Sequence, residues 1–80
     1  MDYPEWLIGS WVTERNDIWT FDDDGTYNHG GTNGTYVVIE KVLAIANSYS
    51  STSYDMIVSK DNRVLILRAW NGGSKVLRKK

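Results

Sequence analysis

No cysteine occurs among the 80 residues, which excludes a disulfide framework, a thiolate metal site and a cysteine nucleophile. Small secreted domains lean on disulfides, so this absence points to an intracellular, cytoplasmic protein. Histidine is almost as scarce. His29 stands alone, and without cysteine or a second histidine it cannot build a usual zinc site. As a lone general base it has no nucleophile flagged beside it. No catalytic residue, metal or cofactor is therefore expected, and a hydrolase built on His29 is a remote reading. No apolar run approaches the roughly 20 residues of a membrane span. The stretch Met1-Asp2-Tyr3-Pro4-Glu5 is acidic where a signal peptide would be basic. A single domain over residues 1–80, without a membrane segment, is the expectation.

Charge is scarce in net terms, −1 overall, yet sharply divided. Residues 1–40 carry eight acids against one base, Arg15, and residues 41–80 carry eight bases against two acids, Asp55 and Asp61. Two halves of one barrel could simply attract each other across their seam, or the division could steer a charged partner or self-association. The basic C-terminal stretch Lys75–Lys80, with Arg63, Arg68 and Trp70, could meet phosphates. The acidic first half and the lack of a nucleic-acid-binding motif argue against a nucleic-acid partner.

What the chain has in quantity is short β-prone segments between turn signals. Residues 3–8 hold the sole proline, Pro4, which suits the first turn of a short helix. Trp6 and Leu7 are too apolar for a free tail, so this turn should plug one end of a core. Strands are predicted at about Ser10–Arg15, Ile18–Asp22, Thr26–His29, Thr35–Glu40, Val42–Ala46, Tyr54–Lys60, Arg63–Trp70 and Lys75–Lys79. Asp23-Asp24-Gly25 reads as a tight hairpin in preference to a calcium loop, because the other oxygen ligands and a distal Glu are missing. Gly30–Gly34 reads as a flexible loop with an Asn33-Gly34 turn, Asn47–Ser53 as a long polar connection, and Asp61-Asn62 as a two-residue hairpin turn. Seven or eight short strands with this spacing predict an all-β antiparallel meander sandwich or barrel, with a short N-terminal helical turn.

Alternation assigns an inward set of Trp11, Trp19, Phe21, Tyr36, Val38, Leu43, Ile45, Tyr54, Met56, Leu65 and Leu67. An eight-stranded barrel is just wide enough for its own side chains, so a filled core is expected ahead of a ligand cavity. A pocket at the open end would have Trp11 as its floor, with Trp19, Tyr36, Tyr54 and Trp70 as further candidate ligand-binding residues. Out of phase with the inward set lie Val37, Ile39, Val42, Ile57, Val64 and Ile66. Those positions should be mostly polar in a half-solvated sheet, so an interface between copies of the chain, a homo-oligomer, is expected there.

Gly9-Ser10-Trp11, after a short turn, resembles the Gly-x-Trp signature of lipocalins. Phe21 to Tyr27, Phe-Asp-Asp-Asp-Gly-Thr-Tyr, is similar to a hairpin of small bacterial lipocalin-like domains. Tyr36-Val37-Val38, Leu43-Ala44-Ile45 and Leu65-Ile66-Leu67 fit the strand cores of that family. The resemblance implies a small barrel and a binding role, on a chain far shorter than a full lipocalin. The expected function is a non-catalytic module that binds a protein partner or a small apolar ligand as a homo-oligomer. Alternatives are an inhibitor occluding a charged site on a nucleic-acid enzyme, or a lipocalin-type small-ligand carrier.

Overall fold

A computed structural model describes residues 3–80; Met1 and Asp2, which begin the acidic N-terminal stretch, lie outside the described residues. Eight strands follow one another: β1 (Gly9–Thr13), β2 (Ile18–Phe21), β3 (Thr26–His29), β4 (Thr32–Ile39), β5 (Val42–Asn47), β6 (Ser51–Val58), β7 (Val64–Ala69) and β8 (Ser74–Lys79). Each pairs antiparallel with the next, and β8 returns to β1 to close the barrel. All-β meander topology is thus what the strand and turn signals produce.

Side-chain alternation divides inside from outside as the sequence predicts. Trp11, Trp19, Phe21, Tyr36, Leu43, Ile45, Met56, Leu65 and Leu67 are buried, and Val38 and Tyr54 pack against them half-buried. Leu7, Tyr27 and Leu77 complete the core. The aromatics pack as an angled set. Phe21 meets Tyr36 edge-on at 5.1 Å between centroids, and Trp19 lies 6.2 Å from Phe21 and 6.3 Å from Tyr27, distances at which aromatic pairs add to simple area burial.

One end of the barrel is closed by residues 3–8. The helical turn predicted there is not formed as helix; plain turns take its place, in which Leu7 N–H donates to Pro4 O at 3.0 Å and Ile8 N–H to Glu5 O at 3.2 Å. Leu7 is fully buried, Trp6 stands edge-on to Trp11 at 6.5 Å, and the Trp11 indole N–H donates to Leu7 O at 2.9 Å. Lys79 faces inward beneath this plug. Its Nζ donates to Trp6 O at 3.1 Å and to Ile8 O, and sits 4.8 Å from the centre of the Trp11 ring. Desolvation holds its pKa below the usual lysine range. Backbone carbonyls and a π-face therefore absorb a charge that alternation forces inward.

Four turn expectations are corrected. The β3–β4 turn sits on Gly30-Gly31, both at positive φ (59° and 92°), the backbone of a two-residue hairpin turn, and Asn33-Gly34 belongs to β4. A side-chain bond from Asn28 Nδ2 to Asn33 Oδ1 at 2.6 Å spans the pair. The Asn47–Ser53 connection is shorter than read, since β6 begins at Ser51. Asn47 Oδ1 accepts from Tyr49 N at 2.8 Å and Ser50 N at 3.0 Å, which tightens the turn. Asp61-Asn62 is the middle of a wider loop, where Ser59 N–H donates to Val64 O and Ser59 Oγ to Asp61 Oδ1. The first strand stops at Thr13 instead of Arg15, because Thr13 Oγ1 accepts from Arg15 N and Asp17 N and Asn16 takes a positive φ of 66°.

The Asp22–Asp24 turn is organised by its own carboxylates. Asp24 Oδ1 accepts from Thr26 N at 3.0 Å and Thr26 Oγ1 at 2.6 Å, and the Thr26 side chain and amide hold the Asp24 carboxyl below its usual pKa. Beneath it, Tyr36 Oη donates to Asp22 O at 2.6 Å. Burial first, then the neighbouring Tyr3 and the Asp22–Asp24 carboxylates, push the Tyr36 phenol up to about 12, against about 10 in an unfolded chain. Below both values the phenol is protonated in either state, and its contribution to stability is intact. As pH rises from about 10 towards about 12 only the unfolded phenol ionises, so that contribution is lost. The urea midpoint is expected to fall across this window, and Tyr36→Phe to make the fall shallower. An unchanged slope in the variant would assign the alkaline transition to other groups.

Candidate functional site

Two regions carry more than the fold needs: the outer face of β4–β8 and the barrel end opposite the plug. On the outer face, register places Ile39 opposite Val42, Val37 opposite Ala44, Ile57 opposite Ile66, Ile66 opposite Val76, and Val64 opposite Arg78. Ile39 is 66% exposed, Ile57 48% and Val42 38%, while Val37, Val64 and Ile66 are half-buried by their neighbours. All six predicted interface residues therefore lie on one side of the wall, outside the barrel. Asp55 and Arg68 stand directly opposite each other within this surface. Next to it, a shallow groove is lined by Val37, Ala44, Ala46, Ser51 and Ser53 and bordered by Trp70, whose side chain is 91% exposed.

The opposite charges of the two chain halves build no lysine–carboxylate or arginine–carboxylate pair within 4.0 Å among the described residues. The single contact at that limit runs from His29 Nε2 to Asp17 Oδ2, at 4.0 Å. Attraction across the seam is therefore long-range at most.

At the end away from the plug, a cavity of about 360 Å³ is lined by residues of β1, β2, β3 and β8 and the β1–β2 turn: Thr13, Glu14, Arg15, Asp17, Trp19, His29, Ser74, Lys75 and Val76. Trp19 is among its walls, and the His29 ring stacks on the indole at 4.3 Å and 30°. The Trp19 indole N–H is buried without a hydrogen-bond partner. Across the same mouth, Asn47 Nδ2 donates to Tyr27 Oη at 3.0 Å. Burial, then Tyr27, hold the Tyr54 phenol above its usual pKa.

The candidate ligand-binding residues are thus dispersed. Trp11 and Tyr36 are fully buried, Trp11 under the plug and Tyr36 beneath the Asp22 turn, and neither lines the open-end cavity. The floor of that cavity is Trp19 in place of Trp11. Tyr54 is half-buried against the core and does not line the cavity, and Trp70 lies on the outside. Sequence reasoning does not bring His29, Asp17 and Lys75 together. Lys75 is within its reach, because it alternates with Leu77 and Lys79 on the inward side of β8. Among the described residues no group of three or more His, Cys, Asp or Glu side chains is placed to hold a metal ion.

No family model matches the chain, and no curated protein or solved structure matches it. What is shown is architecture: a small closed eight-stranded antiparallel barrel, compatible with a lipocalin-like barrel. Among the described residues no helix is long and apolar enough to cross a membrane.

Proposed function

We propose that this protein is a non-catalytic interaction module that works as a homo-oligomer, joined through the outer face of β4–β8. The observation that carries this reading is the apolar surface outside a barrel whose inside is already filled. Ile39, Val42 and Ile57 stay exposed although the core has no need of them, and monomers seldom keep such a patch. Strands of four to eight residues fall short of the 9–11 or so of a membrane-spanning strand, so lipid is a poor cover for it. Asp55 and Arg68 make the patch self-complementary: about a two-fold axis, the arginine of each copy can face the aspartate of the other. An interface of standard size, about 800 Å² per partner, would take a modest share of the 5519 Å² surface.

Native mass spectrometry at low and moderate salt tests the reading. A dimer or larger assembly that persists as salt rises is expected, since apolar burial is not screened. A 9.1 kDa monomer at both salts would overturn it.

A further inference from the structure

We propose that the open end of the barrel binds a small zwitterion of amino-acid size, whose carboxylate meets Lys75 and Arg15 and whose ammonium meets Asp17. The inward side of β8 carries two lysines at opposite ends of the barrel. Lys79, under the plug, is held by two backbone carbonyls and the Trp11 ring. Lys75 Nζ, at the open end, has no hydrogen bond or ion pair among the described residues, yet the side chain lines the cavity on the same side of the strand. The fold thus supplies a counter-group for one inward cation and leaves the other facing a cavity.

The remaining lining narrows the class of ligand. Glu14 and Asp17 contribute carboxylates beside Lys75 and Arg15, so a simple anion would meet two like charges and a simple cation would meet both bases. A molecule carrying both signs satisfies the two sets together. Among the described residues neither carboxylate pairs with Lys75 or Arg15, and the one near contact, His29 Nε2 to Asp17 Oδ2, is long at 4.0 Å, which leaves the Asp17 carboxylate able to accept from an ammonium group. The floor adds a second requirement. The Trp19 indole N–H is buried and unpartnered, a condition that is costly for a donor and calls for an acceptor. A carboxylate oxygen becomes that acceptor when the half-buried His29 ring, stacked on the indole, turns aside. The flat face of Trp19 that this uncovers favours an aromatic or apolar side chain on the ligand. A volume of about 360 Å³ is at the small end of ligand pockets, which run from about 300 Å³ upward. The core behind it is filled, so the ligand sits at the rim.

Heteronuclear NMR of the 15N-labelled protein tests this, because its four tryptophans give four indole N–H signals, with that of Trp19 identified by Trp19→Phe. L-Phenylalanine, 3-phenylpropionate and phenethylamine are titrated in parallel. L-Phenylalanine is expected to shift the Trp19 indole signal and the Thr13 and Lys75 amides saturably, with at least ten-fold higher affinity than either single-charge analogue. Lys75→Gln is expected to lower its affinity to that of phenethylamine, and Asp17→Asn to that of 3-phenylpropionate. Both side chains are exposed, and an unmoved Trp11 indole signal shows that the variants keep the core. Equal binding of 3-phenylpropionate would make this an anion site and overturn the proposal. No saturable shift with L-phenylalanine, or the same affinity in Lys75→Gln, would overturn it as well.

Discussion

Ile57→Glu combined with Ile66→Lys is expected to turn the proposed homo-oligomer into monomers while leaving the barrel folded. The two residues face each other directly across β6 and β7 on the outside of the wall, so neither substitution enters the core. Opposite charges at directly opposed positions support a sheet pair, whereas two lysines there would oppose it. Burying that charged pair in an apolar interface carries a desolvation cost that its mutual attraction does not repay, and truncating a central apolar anchor alone costs about 2 kcal/mol or more. Two such changes in each copy weaken association by at least about a hundred-fold. Sedimentation velocity across a concentration series checks the mass, and near-ultraviolet circular dichroism checks that the buried tryptophans keep their packing. An assembly that survives both substitutions would place the interface elsewhere, the groove beside Trp70 being the next surface to alter.

Gly34→Ala is expected to be the most damaging small substitution, lowering stability by about 2–3 kcal/mol, the upper range for overpacking a filled core. A methyl group at Gly34 would lie 2.2 Å from the Ala46 carbonyl oxygen and 2.6 Å from Cε1 of Tyr27. The first is backbone in the paired strand, and the second belongs to a buried ring stacked beside Trp19, so neither can give way cheaply. In a domain of this size such a loss shifts the melting temperature down by about 10–20 °C. Gly30→Asn is the control. A Cβ at Gly30 would meet nothing within 4 Å, and the φ of 59° there is one that asparagine tolerates, with Asn-Gly a favoured pair for this turn. Calorimetry should find the control within about 0.5 kcal/mol of the parent. Equal losses in the two variants would show that chain flexibility, and not the approach of Tyr27 and Ala46, explains Gly34.

These residues also mark how far local sequence reaches. Trp11, Trp19 and Phe21 alternate with smaller or polar neighbours, so inside and outside follow there from period two, whereas β5 and β7 are apolar on both faces and take their facing from the strands they pair with. Gly30–Gly34 offers two equally good hairpin turns, Gly-Gly and Asn-Gly. The choice is made by Asn28 bonding Asn33 and by the Tyr27 ring lying against Gly34, which are contacts between strands. Ser51-Thr52-Ser53 reads as loop by composition, but these residues pair with Ala46, Ile45 and Ala44, and pairing on a filled barrel outweighs weak propensity. The outer apolar set is legible for the same reason as the core. The open-end cavity is not, because Trp19, His29 and Lys75 come from opposite ends of the chain and meet only when β8 reaches β1.

Closure has a consequence for how this protein could fail. The seam is short, running through Trp11–Lys79, Val12–Arg78 and Thr13–Leu77, and it joins residues that folding must bring together across nearly the whole chain, at high loop entropy. While the seam holds, every strand has a neighbour on both sides, and copies can meet only through side chains. Opened, it would present two raw strand edges beside a wall rich in β-branched residues, the ingredients of cross-β fibres. The Lys79 contacts fasten plug to seam and so oppose that opening.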